Sequence, residues 1–560
     1  MSIGNRKILQ GKQWEYVVPL LAIASLLTAC IIISSKKYFW NDELFSYYLI
    51  SEPSFSRMLT AFHDKINNTP FLYFLTGWFW DKIFGSTELS YRLFSSLGIC
   101  VALGAVWVTL RRTYNFWSTT IGTLGVFCTS GIILSQNAEA RMYGLFLAVC
   151  ALAFLIYDQF CRKNDSSYKL LILNTCIHIA ILHTHLFGAF YSGAILLALI
   201  ITDKIFNIFR PKVYLSVILS WFTIILYLPS FFNQADAGKP RTWMPVPTLN
   251  DLIDFLNLST SSFMKLTIVV FLVFISALQF LIENSHVNES NLSKEHHPDV
   301  RSEISLLVFA FSFILSPVLI WIISRTLKPI FWERYMIPSA LGYAILLTFV
   351  TSRLLLIPSL SNLFIDSLHT RKKITRILVV FSGLIMIAFL LFTPIQNAKR
   401  YVTETIPGFQ DSSLGYSELP IVMQSSGKFL EREFYSPVRD RYFIILDWEA
   451  AVNIKSGVWA TQEFKHLTAL KRNFPMRFKN IKTTREFLDK YNRFLVIMDN
   501  DPSLKCPLVP LGLEMARTWE GMHCPQWMEM RIFNNAHYKV SFLKKDGTFP
   551  IYLVEKINQE

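Results

Sequence analysis

The chain has 560 residues, of which 52% are apolar, 15% aromatic and only 17% charged, and its mean hydropathy is +0.36. This composition excludes an ordinary large soluble enzyme and indicates a polytopic α-helical membrane protein. The formal net charge is +14, but the basic residues fall mostly in short clusters between apolar runs. Because this is the pattern of the positive-inside rule, the charge does not indicate a nucleic-acid partner.

Eleven apolar runs are each long enough to cross a hydrocarbon core about 30 Å thick. They cover residues 17–35, 89–110, 116–135, 139–160, 168–185, 187–203, 213–230, 263–283, 303–324, 336–356 and 374–394. The first run has no clear cleavage site after it, so we interpret it as a signal anchor. The run 70–84 is interrupted by Asp81 and Lys82. It is also short, at about 15 residues, which predicts a helix lying at the membrane interface.

Clusters of basic residues lie on alternate connections, which the positive-inside rule places in the cytoplasm. These are Arg6 to Lys12, Arg111 and Arg112, Arg162 and Lys163, Lys204 to Lys212, and Arg371 to Arg376. The extracytoplasmic face then holds residues 36–88, 136–141, 184–187, 231–262, 325–335 and everything after 395. Lys36 and Lys37 are exceptions, because they would lie outside.

After about residue 395 the composition becomes that of a soluble domain. RYFIIL (441–446) and RFLVIM (493–498) predict buried strands, and Thr483 with Glu486 predicts a capping box that starts a helix. We therefore predict a transmembrane domain at 1–394 and a small extracytoplasmic α/β domain at 395–560. Cys506 and Cys524 share its polar region, where they would be able to pair outside the cytoplasm.

The motif WNDELFSYYL places Asp42 and Glu43 side by side just after the first apolar run. Helix caps and solvated turns also carry such pairs. Further charged and aromatic residues recur on the same predicted face, however, and this recurrence favours a functional site.

The motif QNAEARMYG carries Glu139, Arg141 and Tyr143 at the start of a span. Because Glu139 and Tyr143 are four residues apart, we predict that they share a helix face. Ionisable residues at this depth usually face a cavity or a partner. The alternative is that Glu139 and Arg141 form an ion pair with each other at the membrane interface and have no functional role.

Two further predicted spans each carry one ionisable residue near the end that lies at the same face. Arg92, in YRLFSSLG, either holds an anionic group or snorkels to the interface. His185, in HTHLFG, either contacts a substrate or packs as a hydrogen-bonded structural residue.

Two loops on this face combine cations with aromatic residues. AGKPRTWMPVPTLNDL carries Arg241 and Trp243, and its Thr248 is predicted to cap a short amphipathic helix. SRTLKPIFWERYMIP carries Lys328, Arg334 and Tyr335. Arginine suits phosphate because its planar fork donates two parallel hydrogen bonds. Together these loops indicate a site for an anionic lipid headgroup.

Carboxylates and cations at headgroup depth suit the transfer of a sugar from a lipid phosphate. In this hypothesis Asp42 is the general base, and Glu43 or Glu139 orients the acceptor. The residues assigned to the donor phosphate are Arg334, Lys328, Arg241, Arg92 and Arg141, and those assigned to other substrate contacts are Tyr335, His185 and Trp243. Displacement from the opposite face inverts the anomeric centre. We expect no cofactor and no catalytic metal, since the sequence shows no dense carboxylate cage.

Two other classes remain open. A transporter or flippase of lipid-linked sugars would use the same cations, but often shows an internal repeat of helices, and we find none. A receptor-like protein would work through its C-terminal domain, but eleven spans are excessive for an anchor.

The series WNDELFSYY, NTPFLYFLTGWFW, FGSTELSYRLFSSLG, QNAEARMYGL, HTHLFG, TWMPVPTLNDL and ERYMIP resembles glycosyltransferase family 39 of the GT-C superfamily. This group includes protein O-mannosyltransferases and lipid A aminoarabinose transferases, and the resemblance covers about the first 400 residues. It implies a polyprenyl-phosphate-linked sugar donor, an extracytoplasmic active site in the plasma (inner) membrane, and Asp42 and Glu43 at the acceptor. Glu139 with Arg141, and Arg334 with Tyr335, match two further motifs of the family.

The sequence departs from this family at one motif. Where many relatives have a His-Pro-Pro run, this chain has Asn68, Thr69 and Pro70. Any role tied to that histidine therefore does not transfer. The sugar and the acceptor, whether lipid A, another envelope glycan or a protein hydroxyl, are not identified by the sequence.

Overall fold

The computed structural model describes residues 13–163, 167–239, 244, 246–258, 262–283, 300–354, 370–404, 415–452, 459–498, 527–546 and 549–557. The first part is helical. Its helices are α1 (Val17–Ser34), α2 (Asn41–Ile50), α3 (Phe55–His63), α4 (Leu72–Phe84), α5 (Glu88–Arg111), α6 (Phe116–Phe127), α7 (Gly131–Gln136), α8 (Tyr143–Lys163) and α9 (Tyr168–Thr184). They continue with α10 (Gly188–Ile205), α11 (Pro211–Trp221), α12 (Leu228–Ala235), α13 (Leu249–Leu256), α14 (Ser262–Glu283), α15 (Val300–Thr326), α16 (Ser339–Leu354) and α17 (Thr370–Glu404).

Every predicted apolar run coincides with helix. Within the described residues, six helices are long and apolar enough to cross a membrane, and a bent pair raises this number to seven. Three more apolar helices are shorter than a full span. A multi-pass membrane protein is therefore confirmed, whereas the count of eleven spans stays a prediction.

Two predicted spans are not single straight helices. The run 116–135 is divided between α6 and α7, and the run 213–230 is bent by 59° between α11 and α12. Pro229 lies at the start of α12, where it provides no backbone N–H and its ring clashes with a helical carbonyl four residues earlier. The short segment 70–84 forms α4, whose 13 residues reach only about 20 Å.

The C-terminal region contains a six-stranded sheet in the order β3-β2-β1-β4-β6-β5. Its strands are β1 (Ile421–Met423), β2 (Tyr442–Ile445), β3 (Ile481–Lys482), β4 (Arg493–Ile497), β5 (Tyr538–Asp546) and β6 (Phe549–Lys556). Strands β1 to β4 pair in parallel, and β6 pairs antiparallel with β4 and β5. The helices are α18 (Ser426–Tyr435), α19 (Trp448–Val452), α20 (Trp459–Asn473) and α21 (Thr484–Leu488).

The predicted local signals of this region are confirmed. Both predicted strands are present, and Thr483 and Glu486 form the capping box of α21. Helix α17 continues to Glu404, so it crosses the predicted domain boundary after residue 394. The division into two domains stays a prediction.

Among the described residues, three basic connections predicted to be cytoplasmic lie at one end of the helices, at 111–112, 162–163 and 204–212. Arg111 Nε lies 2.7 Å from Glu15, and Arg112 and Arg162 both bind Asp158, at 3.1 and 2.8 Å. The connections predicted for the opposite face meet around a cavity described below. This grouping agrees with the predicted alternation of sides, and which end faces the cytoplasm stays a prediction.

Candidate functional site

A cavity of about 610 Å³ lies where the predicted extracytoplasmic connections converge. Its walls come from residues 40–45 and 66–69 of the first loop, from the links at 141–143 and 185–190, from the segment between 227 and 238, from the link 328–335, and from α20. Charged side chains from distant parts of the sequence therefore line one cavity.

The start of α2 separates the two adjacent carboxylates. Trp40 precedes the helix in an extended conformation, and its backbone N–H donates to Glu43 at 3.3 Å. Consecutive helical residues point about 100° apart. Asp42 therefore faces the cavity while Glu43 points into the protein.

Glu43 is completely buried and bound by a buried arginine. Arg92 donates through Nη2 and Nε at 2.7 and 2.9 Å, and the Ala140 N–H donates at 2.7 Å. Burial would raise the pKa of Glu43, but the charges of Arg92 and Lys37 and these hydrogen bonds lower it. Glu43 is therefore a charged structural anchor between the first loop and α5.

Arg92 is equally inaccessible. Its remaining N–H groups donate to the carbonyls of Lys37 and Tyr38 at 2.7 and 2.9 Å. Neither Arg92 nor Glu43 is among the described residues that line the cavity. The expectation that Arg92 binds the donor phosphate, and the expectation that Glu43 orients the acceptor, are not supported by this placement.

Asp42 forms an ion pair inside the cavity. Its Oδ2 accepts from Arg334 Nη2 at 2.9 Å, and the two side chains are 24% and 17% exposed. The Arg334 guanidinium lies 5.3 Å from the ring of Trp40 and 5.8 Å from that of Tyr143. Burial would lower the pKa of Arg334, but Tyr143, Asp42 and Tyr335 raise it, so Arg334 keeps its charge.

The two cavity-lining arginines keep donors for a further ligand. Arg141 donates to the Asp42 carbonyl at 2.9 Å and to Ser46 at 3.0 Å. Among the described residues, neither Arg141 Nε nor Arg334 Nε has a hydrogen-bond partner. Lys328 lines the same cavity. The site therefore offers an accessible carboxylate beside three cations, which is an arrangement suited to an anion.

Arg241 and Trp243 lie outside the described residues, so their predicted contacts stay predictions. Thr248, a few residues later, does cap α13, and its hydroxyl accepts from the Asp251 N–H at 3.3 Å.

The prediction for Glu139 is wrong in its geometry. Helix α8 begins at Tyr143, so Glu139 precedes the helix and does not share a helix face with Tyr143. Its carboxylate pairs with Lys37 and accepts from Trp40 Nε1 at 2.5 Å, which holds it outside the helix. This pairing explains why Lys37 lies on a face where basic residues are rare. Glu139 is not among the described residues lining the cavity.

His185 and Tyr335 form part of an aromatic wall. Their ring centroids lie 5.1 Å apart, and His185 stacks on Phe146 at 5.0 Å. Because the Phe187 N–H donates to His185 Nδ1 at 3.1 Å, that nitrogen is unprotonated and Nε2 carries the proton. His185 is therefore an uncharged donor at the cavity wall.

Sequence reasoning missed several residues that line the cavity. They are polar side chains of the first loop, of the bent segment and of α20: Asn67, Gln234, Gln462, Glu463 and His466. A buried polar face on α20 was a sequence signal, because amides and a histidine recur there at helical spacing. Within the described part of the chain, no group of three or more metal-ligating side chains is present.

No family model and no curated protein matches this sequence. Among solved structures, the chain is similar to ArnT from Cupriavidus metallidurans in the apo state, with a TM-score of 0.53 and 11% identity, over 96% of this chain and 97% of that chain. A structure of the same ArnT bound to undecaprenyl phosphate gives a TM-score of 0.48 and 10% identity, over 96% and 98% of the two chains.

The fold therefore defines a class, that of polytopic membrane proteins with the architecture of ArnT. This is the GT-C fold that the sequence resemblance implied, and that expectation is confirmed.

Proposed function

We propose that this protein is an integral membrane glycosyltransferase. It moves a sugar from a polyprenyl-phosphate-linked donor to an extracytoplasmic acceptor, which is lipid A, another envelope glycan or a protein. The observation that carries the proposal is the Asp42–Arg334 ion pair in a cavity that also contains Arg141 and Lys328. Assignment to glycosyltransferase family 39, a location in the inner membrane and an extracytoplasmic site belong to the same proposal.

The proposed reaction begins with binding of the donor phosphate by Arg334 and Lys328. The phosphate competes with Asp42 for the Arg334 guanidinium, so donor binding frees the carboxylate. The two unpartnered Nε donors of Arg334 and Arg141 are further sites for phosphate oxygens.

The acceptor hydroxyl then attacks the anomeric carbon from the face opposite the phosphate. The new C–O bond forms as the bond to the phosphate oxygen breaks, and that oxygen takes the electron pair. Asp42 receives the hydroxyl proton, while the cations stabilise the leaving polyprenyl phosphate. The product is inverted at the anomeric carbon.

The first test compares wild type with Asp42→Asn. We expect Asp42→Asn to retain donor binding and to lose transfer by roughly a hundredfold or more, because general base catalysis contributes about this much. Transfer is measured with labelled sugar on a polyprenyl-phosphate donor and a membrane envelope extract as acceptor.

The matched control is Asp440→Asn, which changes the same group at a position where Asp440 is exposed and paired with Lys479. Equal transfer by Asp42→Asn and wild type would remove Asp42 from the mechanism. Absence of transfer by wild type, with donor binding retained, would favour the flippase instead.

A further inference from the structure

We infer that the cavity contains an uncharged subsite for the hydroxyl groups of a neutral sugar, built jointly by Asn67 and Asn68 of the first loop and by Gln462 and His466 of α20. This inference rests on the proposed function. It adds the class of sugar and assigns part of the donor site to the C-terminal region. It also gives a role to the segment where the sequence departs from the His-Pro-Pro run of its relatives.

The first element of the subsite is a fixed amide donor. Asn67 Oδ1 accepts from the Thr69 N–H at 2.7 Å and from the Thr69 hydroxyl at 2.9 Å, which holds the side chain in one orientation. Asn67 is 6% exposed and lines the cavity, but its Nδ2 has no partner among the described residues. Buried amide donors are rarely left unpaired. A ligand oxygen in the cavity would satisfy this one.

The second element is a hydrogen-bonded chain that crosses from the first loop to α20. Asn68 satisfies both of its amide atoms when its nitrogen donates to the Gln234 carbonyl at 3.2 Å and its oxygen accepts from Gln462 Nε2 at 3.0 Å. Gln462 Nε2 also lies 3.3 Å from His466 Nε2. The chain places amide and imidazole groups from both regions on one wall.

The protonation of His466 follows from its other nitrogen. His466 Nδ1 binds the carbonyl of Lys65, and a carbonyl only accepts, so Nδ1 carries the proton. Burial further lowers the pKa of His466, which keeps the ring neutral. Its Nε2 therefore accepts from Gln462 Nε2. Among the described residues, this leaves Gln462 Oε1 as the free acceptor on the wall, whereas Asn67 Nδ2 is a donor.

A donor and an acceptor on one uncharged wall match a hydroxyl group, which both donates and accepts. The subsite also lies beside the proposed base, because the His466 ring is 5.4 Å from Phe45, one helical turn after Asp42. In this arrangement the cations bind the phosphate, the amides of Asn67 and Gln462 orient the sugar, and His466 positions Gln462. Asn67 and Gln462 are thus specificity-determining residues rather than catalytic ones, and His466 is a positioning residue.

The test measures binding to the full-length purified protein in detergent. The probes are undecaprenyl phosphate, its glucose and mannose conjugates, and its 4-amino-arabinose conjugate. We expect at least one neutral sugar conjugate to bind wild type more tightly than undecaprenyl phosphate does. Gln462→Ala and Asn67→Asp should each reduce that gain by roughly three- to tenfold, which corresponds to losing one or two neutral hydrogen bonds. Gln462→Ala should keep an affinity for undecaprenyl phosphate close to that of wild type. Because Asn67→Asp adds a carboxylate to the same cavity, its effect is read from the ratio of its affinities for the sugar conjugate and for undecaprenyl phosphate.

Asn67→Asp is nearly isosteric and keeps the oxygen that accepts from Thr69, so it removes the free donor without dismantling the turn. Thr468→Ala is the matched control on α20, because the Thr468 hydroxyl binds the Phe464 carbonyl of the same helix. Thr468→Ala should leave the affinity for the sugar conjugate, relative to that for undecaprenyl phosphate, unchanged.

The outcomes separate the two proposals. One outcome is that undecaprenyl phosphate binds through Arg334 and Lys328 while both variants prefer the sugar conjugate to undecaprenyl phosphate as strongly as wild type does. In that case the subsite is wrong and the proposed function stands. The subsite is equally wrong if only the amino sugar, or no sugar, adds affinity. If undecaprenyl phosphate does not bind wild type, or if Arg334→Ala and Lys328→Ala leave its affinity unchanged, the proposed function itself fails.

Discussion

At the scale of single residues, the adjacent carboxylates Asp42 and Glu43 differ in their exposure. Glu43 is enclosed with Arg92, and both are 0% exposed, whereas Asp42 faces a cavity and shares Arg334. Removing one partner of a buried ion pair leaves an uncompensated charge, which is far more costly than losing a pair in contact with solvent. The same type of substitution should therefore affect folding at one position and chemistry at the next.

We predict that Glu43→Gln destabilises the protein by about 3 to 5 kcal/mol, because Arg92 then stays buried without a counter-charge. The measurement is the apparent thermal unfolding midpoint in detergent, with Asp42→Asn as the adjacent control that should unfold close to wild type. The double variant Glu43→Gln/Arg92→Met should recover part of the loss. A Glu43→Gln protein as stable as wild type but inactive would instead return Glu43 to the reaction.

At this scale, the sequence motifs predicted residues that meet in the cavity, whereas the roles assigned to these residues stay predictions. The motifs identified Asp42, Arg141, His185, Lys328, Arg334 and Tyr335, and the structure brings all of them to one cavity. They did not reveal that Arg92 binds Glu43, because that contact joins residues 49 apart whose packing no local pattern specifies. His466 and Gln462 do recur at helical spacing, but that pattern does not specify that α20 docks against the cavity.

At the scale of elements, the crossing of α5 and α8 positions the link that carries Arg141. A Cβ on Gly144 would overlap the carbonyl of Ser95, so glycine is required for this close approach. The approach lets the Ser95 hydroxyl donate to the Arg141 carbonyl at 2.6 Å. Helix contact and site geometry are therefore coupled.

We predict that Gly144→Ala lowers stability by about 1 to 3 kcal/mol, as overpacking usually does, and also weakens binding of undecaprenyl phosphate because the link at 141 shifts. The matched control is Gly104→Ala on α5, where an added Cβ meets nothing within 4 Å. Both variants are compared by thermal unfolding and lipid binding. If the two variants show equal thermal unfolding and equal lipid binding, the crossing of α5 and α8 does not determine the geometry of the site.

Helices were predictable from local apolar runs, whereas their interruptions were only partly so. Pro229 was a local signal for the bend after α11. The start of α8 at Tyr143 had no local signal, and Glu139 just before it is bound by Lys37 and Trp40 from a distant part of the chain. In the C-terminal sheet, β2 and β4 were recognised as continuous apolar runs. Strand β3 has only two residues, which are too few to show the hydrophobic pattern of a strand.

At the scale of the whole molecule, the C-terminal region is held to the first loop by charged contacts. Arg472 donates to both oxygens of Asp64 at 2.8 and 2.5 Å, and Asn473 donates at 2.7 Å. Tyr48 donates to Glu433 at 2.8 Å on the same side. These contacts keep α20 against the cavity.

We predict that acid loosens this docking. Burial would raise the pKa of Asp64, but hydrogen bonds from Arg472, the Lys65 N–H and Asn473 lower it below its ordinary value. A carboxyl group with a lowered pKa contributes stability that is complete above its ordinary pKa of about 3.9 and is lost as the pH falls through the lower, folded-state pKa. Protease sensitivity of the segment around α20 should therefore rise as the pH falls below about 4.

Asp64→Asn is the control for this experiment, since it removes the titrating group. It should be more sensitive than wild type at neutral pH and should show less change on acidification. If wild type and Asp64→Asn respond identically to acid, other carboxylates control the docking.

The contact between His466 and the Lys65 carbonyl also has a consequence for biosynthesis. It joins residues 401 positions apart, so this wall of the cavity forms only after residue 466 has been synthesised. Asp42, Arg141 and Arg334 all precede α20 in the sequence, so they are synthesised before it. A nascent chain that ends before α20 therefore carries these charged groups without this wall of the cavity.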